Sequence, residues 1–437
     1  MVGAQARDPE GTALSPDDAP AAPNRLRTLD AVRGVAVMGI LLLNIIDFAM
    51  PGYAAVDPSY YGGSTGANWW EWAIAYVIGD GKFRGLFTMM FGASTVLIAT
   101  RADDNGQSPA IVHYARMVTL LIFGMIHAYL IWAGDILVLY ALVGMIAFIG
   151  WRTPPRLLLM IGMALLMYKL ADGLLAYQHV AEARIAVAAG SANPVQAADW
   201  AEFQRVTDPH RDGIARELAG YRGSWTDALQ VRTATAIFFQ TVINRIAFVD
   251  TLGLMLIGMA LFRWGFFSGA WSRRAYWLGA GAIPAIWLCY LPLVAWLSTT
   301  RWAPLTMTAT EAIQLSAFRP FLSLGYAALV ILFVQSGRAA WLADRFAATG
   351  RMAFSNYLGT SIVCTLIFNG YGLGWYGYLE RWQCLIVVAG VWLAMLAWSK
   401  PWLDRFAYGP FEWLWRSAAR WQWQPFRRTA PVANVSQ

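Results

Sequence analysis

Residues 29–47 of the chain read LDAVRGVAVMGILLLNIID. Beyond Arg33 this stretch is apolar except at Asn44 and Asp47, and a helix that crosses a lipid bilayer needs about 20 mostly apolar residues. Further runs of this kind follow at about 83–100, 117–133, 136–150, 157–176, 246–263, 275–298, 316–336, 352–370 and 383–400. The sequence therefore predicts an all-α, polytopic integral membrane protein with about ten transmembrane helices, plus interfacial helices.

Composition supports this fold class. Hydrophobic residues make up 58% of the 437 residues and charged residues only 14%, and the mean hydropathy is +0.45. A water-soluble surface of ordinary size cannot be built from this balance. The net charge of +7 lies mainly in short segments between apolar runs, which indicates membrane topology rather than nucleic-acid binding. The three cysteines lack metal-ligand spacing, so we predict neither a metal site nor a disulfide framework.

Basic residues in short loops mark the cytoplasmic side of a membrane protein. The basic segments around Arg33, Arg116, Arg152, Arg273 and Arg351 share one side if the N-terminus is cytoplasmic, and both termini are then cytoplasmic. The stretch WWEWAIAYVIG is too short to span the membrane alone, so it lies along the interface or re-enters. The predicted parts are a disordered cytoplasmic tail (1–24), an N-terminal transmembrane core (25–176), an extracytoplasmic, partly helical insert (177–231), a C-terminal transmembrane domain (232–405), and a cytoplasmic interfacial helix and tail (406–437).

Polar residues inside the first membrane helix suggest a site, because ionisable groups in a membrane span are costly. Asp30 and Arg33 lie near one end of this helix, and Asn44 and Asp47 lie near the other. At helical spacing these positions share one stripe. The alternative is that Asp30 and Arg33 form an ion pair at the lipid headgroups, while Asn44 and Asp47 only cap the helix.

The third predicted helix carries Arg116 and His127 on one face, with about 16 Å between them along the axis. A turn soon after His127 brings Asp135 to a similar level. General bases in enzymes are often an imidazole beside a carboxylate, because the carboxylate fixes the tautomer and stabilises the imidazolium. A lone intramembrane histidine can equally be a hydrogen-bonded core residue, so spacing leaves both interpretations open.

Other polar positions carry less information. Arg84 closes a glycine-flanked polar stretch, residues 79–84, that lacks the spacing of a phosphate-binding P-loop. We expect surface or end-of-helix ion pairs for Arg245 with Asp250 and for Glu412 with Arg416, the latter on an interfacial helix at 409–423. The remaining histidines lie outside the predicted spans and are expected to be solvated: His113, His179 and His210.

Several motifs together resemble the YeiB-like family of bacterial membrane proteins. They cover the chain from about residue 25 to 420, except the 177–231 region, and they occur in the family's order. In the N-terminal half they are Leu29–Ile40 with Asn44, Phe83–Phe87 with Phe91–Ala93, and Phe123–His127 followed by Trp132–Leu137 and Tyr140–Ala141. In the C-terminal half, two segments resemble the signatures of the family's domain of unknown function 418: Gly350–Tyr357 and Gly409–Arg416.

This family is similar to transmembrane acyltransferases such as heparan-α-glucosaminide N-acetyltransferase and the acyltransferase-3 proteins. The resemblance implies a bacterial inner-membrane enzyme in which His127 serves acyl transfer from a cytoplasmic acyl-CoA or acetyl-CoA, without a metal. Asp135 or Asp47 would then orient His127, and Arg33 and Arg116 would bind the donor's phosphates. Asn44 and Arg84 become candidate substrate-binding residues for an acceptor that is a glycan, a lipid or a small molecule.

Two other functions stay open at this stage. In a transporter for a small or lipidic solute, the same polar stripes would line a pathway and His127 would relay protons. The absence of a convincing internal sequence repeat counts against this reading. A non-catalytic membrane partner or sensor would need none of these groups in chemical roles. Membrane lipids are expected partners and nucleic acid is not, while the sequence leaves the oligomeric state open.

Overall fold

The computed structural model of this protein describes residues 22–207 and 211–427. These residues form mainly α-helices joined by turns and loops, and within them β-pairing is limited to one isolated bridge between Phe406 and Arg427. The first nine helices are α1 Ala22–Ala49, α2 Tyr53–Val56, α3 Gly66–Ile74, α4 Lys82–Asp104, α5 Pro109–Ile126, α6 Leu137–Ala147, α7 Pro155–Ala188, α8 Pro194–Thr207 and α9 Arg211–Arg222. The next nine are α10 Trp225–Phe238, α11 Asn244–Arg263, α12 Arg273–Thr299, α13 Pro304–Ile313, α14 Arg319–Gln335, α15 Ala340–Arg351, α16 Ala353–Phe368, α17 Arg381–Arg405 and α18 Pro410–Arg420.

The predicted all-α membrane class is confirmed for the described residues. By length and composition, 8 helical stretches can cross a membrane: Arg27–Ala49, Gly66–Asp104, Pro109–Ile131, Pro155–Ala188, Trp225–Arg263, Arg273–Thr299, Pro304–Gln335 and Arg381–Arg405. Two further predicted spans correspond to shorter apolar helices, Leu137–Gly150 and Ala353–Phe368. The count of about ten therefore stays a prediction. Residues 1–21 of the predicted disordered tail lie outside the described residues, and its last three residues already belong to α1.

The short aromatic segment 69–79 packs into the bundle instead of lying flat on its surface. It forms most of α3 and a π-helical turn, Ala75–Gly79, which leads into α4. Trp72 and Tyr76 are buried in the largest hydrophobic cluster, and Tyr76 makes an edge contact with Tyr290 of α12. This burial of two large aromatic rings anchors the start of α4.

Helix α1 is central and packs against α4, α14, α15, α16 and α17. Its closest approach is to α15, where Gly34 and Gly350 face the partner helix. A Cβ on Gly34 would overlap the carbonyl oxygen of Phe346, and one on Gly350 would overlap that of Asp30. Small residues allow membrane helices to approach this closely. The crossing brings α15, with Arg351 at its end, against the end of α1 that carries Arg33.

The predicted insert is helical in its described residues, but no helix begins or ends at 177 or 231. Helix α7 continues to Ala188, and α10 begins at Trp225. Helix α9 packs on the end of α1 that lies opposite Arg33. There the Glu217 carboxylate accepts a hydrogen bond from the Gly52 amide at 2.9 Å, and Arg222 Nε donates to the Tyr376 carbonyl at 2.8 Å. The insert therefore covers one end of the transmembrane bundle.

Candidate functional site

His127 opens a π-helical turn, His127–Ile131, immediately after α5. The side chain is 1% exposed, and Nδ1 lies 2.6 Å from Oδ2 of Asp135. The other carboxylate oxygen of Asp135 accepts a hydrogen bond from the Val138 amide at 2.8 Å, at the start of α6. Asp135 is thus held at a helix N-terminus, where backbone amides stabilise negative charge. The structure brings His127 and Asp135 together as a buried pair.

The tautomer of His127 follows from this contact. When the carboxylate is ionised it only accepts hydrogen bonds, so Nδ1 of a neutral imidazole would carry the proton and Nε2 would keep a free lone pair. Nε2 is buried, and no described residue forms a hydrogen bond with it. A buried nitrogen without a partner is uncommon, and Nε2 is therefore available to a group that binds beside it.

Asp47, the other residue expected to orient His127, forms no hydrogen bond to it among the described residues. The charged groups that act on Asp47 are Glu217, Arg381 and Asp80, towards the end covered by the insert. Its neighbour Phe48 stacks on Trp132 at 4.2 Å between ring centroids. Asp135, rather than Asp47, is therefore the carboxylate bound to His127.

Tyr357 of α16 completes the surroundings of His127. The two ring centroids lie 5.2 Å apart, and the Tyr357 hydroxyl oxygen accepts a hydrogen bond from the Ile136 amide at 3.3 Å. The sequence drew attention to the Gly350–Tyr357 segment only through its resemblance to a signature of the domain of unknown function 418. The contact joins residues 230 positions apart, so no local pattern could have identified it.

A cavity of about 500 Å³ lies beside this group. One end, which we call the basic end, is lined by five arginines: Arg33, Arg101, Arg116, Arg351 and Arg416. The other end, the inner end, is mainly apolar and is lined by Leu120, Ile136, Leu137 and Tyr357. The cavity therefore connects a cluster of cations to the immediate neighbourhood of His127. Among the predicted donor-binding residues, the structure places both Arg33 and Arg116 at the basic end.

Little negative charge balances these arginines. Of the two carboxylates that line the cavity, Asp30 is bound to Arg33 at 3.0 Å. The other, Glu412, accepts hydrogen bonds from the amides of Phe354 and Ser355 at 2.7 and 3.0 Å and from the Ser355 hydroxyl. Burial raises the pKa of Glu412, and its oxygens bind the start of α16 rather than an arginine. The basic end is thus an electropositive concavity.

Arg116 and Arg416 each lie over an aromatic ring. The guanidinium carbon of Arg116 lies 4.3 Å from the Trp415 ring centroid, and its Nε is buried without a hydrogen-bond partner among the described residues. Arg416 lies 4.6 Å from the Tyr408 ring centroid. The predicted surface pair between Glu412 and Arg416 is wrong, because the Glu412 oxygens bind the beginning of α16.

His113 also differs from the sequence-based expectation. It is 1% exposed, stacks on Phe148 at 4.6 Å, and its Nε2 lies 3.0 Å from the Gly144 carbonyl oxygen. It lines the cavity, so the prediction of a solvated side chain is wrong. His179 is exposed and pairs with Asp199 at 2.9 Å. His210 lies outside the described residues.

The two candidate substrate-binding residues have different surroundings. Asn44 lines a small void of about 10 Å³ beside Tyr357, with Thr360 and Ser361. The Arg84 side chain instead binds Asp250 at 3.4 Å and does not line the cavity. Asp250 also binds Arg319 at 2.5 Å, so its predicted pairing with Arg245 is wrong. In the described part of the chain, no group of three or more His, Cys, Asp or Glu side chains could hold a metal ion.

Comparison with known proteins identifies the family. Residues 261–422 match the family described as Protein of unknown function (DUF418). The chain is 32% identical over 390 residues to the Uncharacterized protein YeiB of Escherichia coli (strain K12), covering 89% of this chain and 94% of that protein. The chain belongs to the YeiB-like family. It is also 28% identical over 414 residues to the Uncharacterized protein YxaH of Bacillus subtilis (strain 168), covering 93% of this chain and 97% of YxaH. No solved structure matches.

The cavity of this YeiB-like protein is built from both halves of the chain. The segment that matches DUF418 contributes Arg351, Tyr357 and Arg416, whereas His127 and Asp135 precede it. The similarity to YeiB and YxaH extends over nine tenths of the chain and therefore includes most of both halves. A site of this kind depends on packing of the N-terminal helices against the DUF418 helices.

Proposed function

We propose that this protein is a membrane-bound acyltransferase that moves an acyl group from a cytoplasmic acyl-CoA to an acceptor at or beyond the opposite side of the membrane. The observation that carries the proposal is the cavity: it connects five arginines to Tyr357, which packs on the buried His127–Asp135 pair. One cavity thus offers cationic side chains for an anionic group and apolar side chains for an apolar group of the same ligand, next to a candidate base.

The residues of the cavity suit acyl-CoA as a donor substrate. Its phosphates are anions, and arginine binds phosphate through charge-assisted, often bidentate hydrogen bonds. Arg116 has a buried Nε that no described residue satisfies. The apolar inner end would take the pantetheine arm and the acyl group, and the rise of α5 from Arg116 to His127 is about 16 Å. Acetyl-CoA is the simplest donor of this class.

In the proposed reaction His127 acts as a general base through Nε2. It removes the proton from an acceptor hydroxyl or amine as the acceptor atom bonds to the acyl carbon. Asp135 holds the Nδ1 proton in place and stabilises the imidazolium that forms. His127 then returns the proton to the departing thiolate, so the reaction has no net proton change. Alternatively, Nε2 attacks the acyl carbon and the carbon–sulfur bond breaks, which releases the CoA thiolate. The acceptor then attacks the acyl carbon, the bond to Nε2 breaks, and the acceptor's proton passes to the thiolate.

The test uses the purified protein in vesicles with radiolabelled acetyl-CoA. Glucose and phosphatidylglycerol serve as acceptor probes for glycan-like and lipid acceptors, and hydrolysis of acetyl-CoA is measured alongside. We expect acetylated product or protein-dependent hydrolysis. Accumulation of unchanged label inside the vesicles, with neither product nor hydrolysis, would instead establish a transporter.

We also propose that the protein resides in the bacterial inner membrane with the basic end of the cavity facing the cytoplasm. An impermeant thiol reagent applied to intact cells should then label Ala198→Cys in α8 but not Asn105→Cys, which follows α4. Both positions are exposed, and Cys289 is replaced by Ser to remove the exposed native thiol. Labelling of Asn105→Cys alone would reverse the orientation.

Arg116→Ala is expected to weaken acetyl-CoA binding by about 10- to 100-fold, since a hydrogen bond to a charged group contributes about 1.5–3 kcal/mol. Isothermal titration of the detergent-solubilised protein measures this affinity. Arg152→Ala is the matched control, because Arg152 also stacks on a tryptophan, Trp151 at 4.5 Å, but does not line the cavity. Equal affinity of the Arg116 variant and the wild type would assign Arg116 to a structural role.

A further inference from the structure

Tyr357 lies where the cavity meets the His127–Asp135 pair. It lines the inner end of the cavity, whereas neither His127 nor Asp135 is among the described residues that line it. Tyr357 also lines the small void that contains Asn44. The residue is 6% exposed. A ligand that reaches the inner end of the cavity would therefore contact Tyr357 before it approaches His127.

The hydrogen of the Tyr357 hydroxyl has no acceptor among the described residues. Its oxygen accepts a hydrogen bond from the Ile136 amide, but no described residue accepts a hydrogen bond from its O–H group. Two other buried tyrosines of this bundle donate to carbonyl oxygens: Tyr326 to Ile78 at 2.9 Å and Tyr276 to Phe266 at 2.6 Å. Because a buried donor normally finds an acceptor, the free O–H of Tyr357 points to a group supplied by a ligand.

The hydrogen bond from Ile136 makes this hydroxyl a better donor. A hydroxyl that accepts one hydrogen bond is polarised and donates the next one more strongly, especially in a surrounding of low dielectric. The bond also fixes the position of the oxygen, which reduces the reorganisation needed when charge develops nearby. Tyr357 is therefore a preorganised donor at the inner end of the cavity.

We propose that the Tyr357 hydroxyl donates a hydrogen bond to the carbonyl oxygen of the acyl thioester. The inference rests on the proposed acyltransferase function and adds a residue to it. As His127 removes the acceptor's proton, the new bond between the acceptor atom and the acyl carbon pushes the carbonyl electrons onto oxygen. Tyr357 stabilises that negative charge. When the carbonyl re-forms, the carbon–sulfur bond breaks, and the thiolate takes the proton from His127.

Tyr357→Phe tests this role, because it keeps the ring that packs on His127 and removes only the hydroxyl. Loss of one oxyanion donor typically lowers kcat by about 10²–10³-fold. We expect such a loss for acetyl-CoA-dependent transfer or hydrolysis, with unchanged affinity for acetyl-CoA by titration. Tyr326→Phe is the matched control, since Tyr326 is also 6% exposed but is not part of the cavity lining. Its rate should equal that of the wild type.

The phenylalanine variant leaves the Ile136 amide without a partner, so a second series keeps the hydroxyl. Fluorinated tyrosines placed at position 357 make the phenol more acidic while they retain the acceptor for Ile136. If Tyr357 stabilises the oxyanion, kcat changes with the acidity of the phenol, whereas a packing role leaves kcat flat across the series. A flat series, or a Tyr357→Phe variant with wild-type kcat, overturns the inference. A wild-type protein inactive toward acetyl-CoA would instead contradict the proposed function.

Discussion

His127→Gln is expected to lower the rate of acetyl transfer by about 10²–10⁴-fold, the usual effect of removing a general base. Glutamine keeps hydrogen-bonding capacity toward Asp135 but has no titratable nitrogen. The loss of one satisfied hydrogen bond in a core histidine would cost only on the order of 1 kcal/mol of stability. Initial rates and thermal unfolding of the same preparation therefore separate the catalytic role from the structural one.

The chain contains a matched control for this variant. His179 pairs with Asp199 at 2.9 Å, but this pair is exposed and lies in the insert region. His179→Gln should leave the rate unchanged. His127→Ala extends the series, because it also removes the hydrogen bond to Asp135 and should be equally inactive. A His127→Gln protein with a near-normal rate would show that His127 is a core residue.

Asp135→Asn is expected to have the second large effect, also about 10²–10⁴-fold, because a buried aspartate sets the tautomer and orientation of its histidine. An asparagine amide group can donate to Nδ1, and this would place the proton of His127 on Nε2, where it blocks base catalysis. The Val138 amide can still donate to the asparagine oxygen, so the start of α6 is preserved. The measurement is the same initial rate, with Asp199→Asn as the control.

The rate losses caused by the two substitutions should not multiply when the substitutions are combined. If Asp135 works only through His127, the double variant His127→Gln with Asp135→Asn is no slower than His127→Gln alone. Rate losses that multiply in the double variant would mean that Asp135 has a separate function. A melting temperature that falls sharply for Asp135→Asn alone would point to its second role, as the carboxylate at the start of α6.

The sequence alone determined the fold class of this protein and which polar residues lie close together along the chain. Apolar runs of sufficient length require helices, because a bilayer offers no partner for backbone polar groups. The proximity of His127 and Asp135 was predictable for a similar reason: they are 8 residues apart across one turn, so chain geometry limits their separation. Family membership also followed from motifs along the chain, and the similarity to YeiB confirmed it.

Tertiary structure decided which distant groups meet. The five arginines of the basic end come from α1, α4, α5, α15 and α18. Helical periodicity shows which residues share a face of one helix, but not which helix packs against that face. In a membrane the lipid-facing and buried faces are both apolar, so hydrophobic patterning discriminates weakly between packing arrangements. The same reason explains why His113, Tyr357 and Glu412 were missed or misassigned. Their roles depend on contacts across the helix bundle that the sequence does not encode as a local pattern.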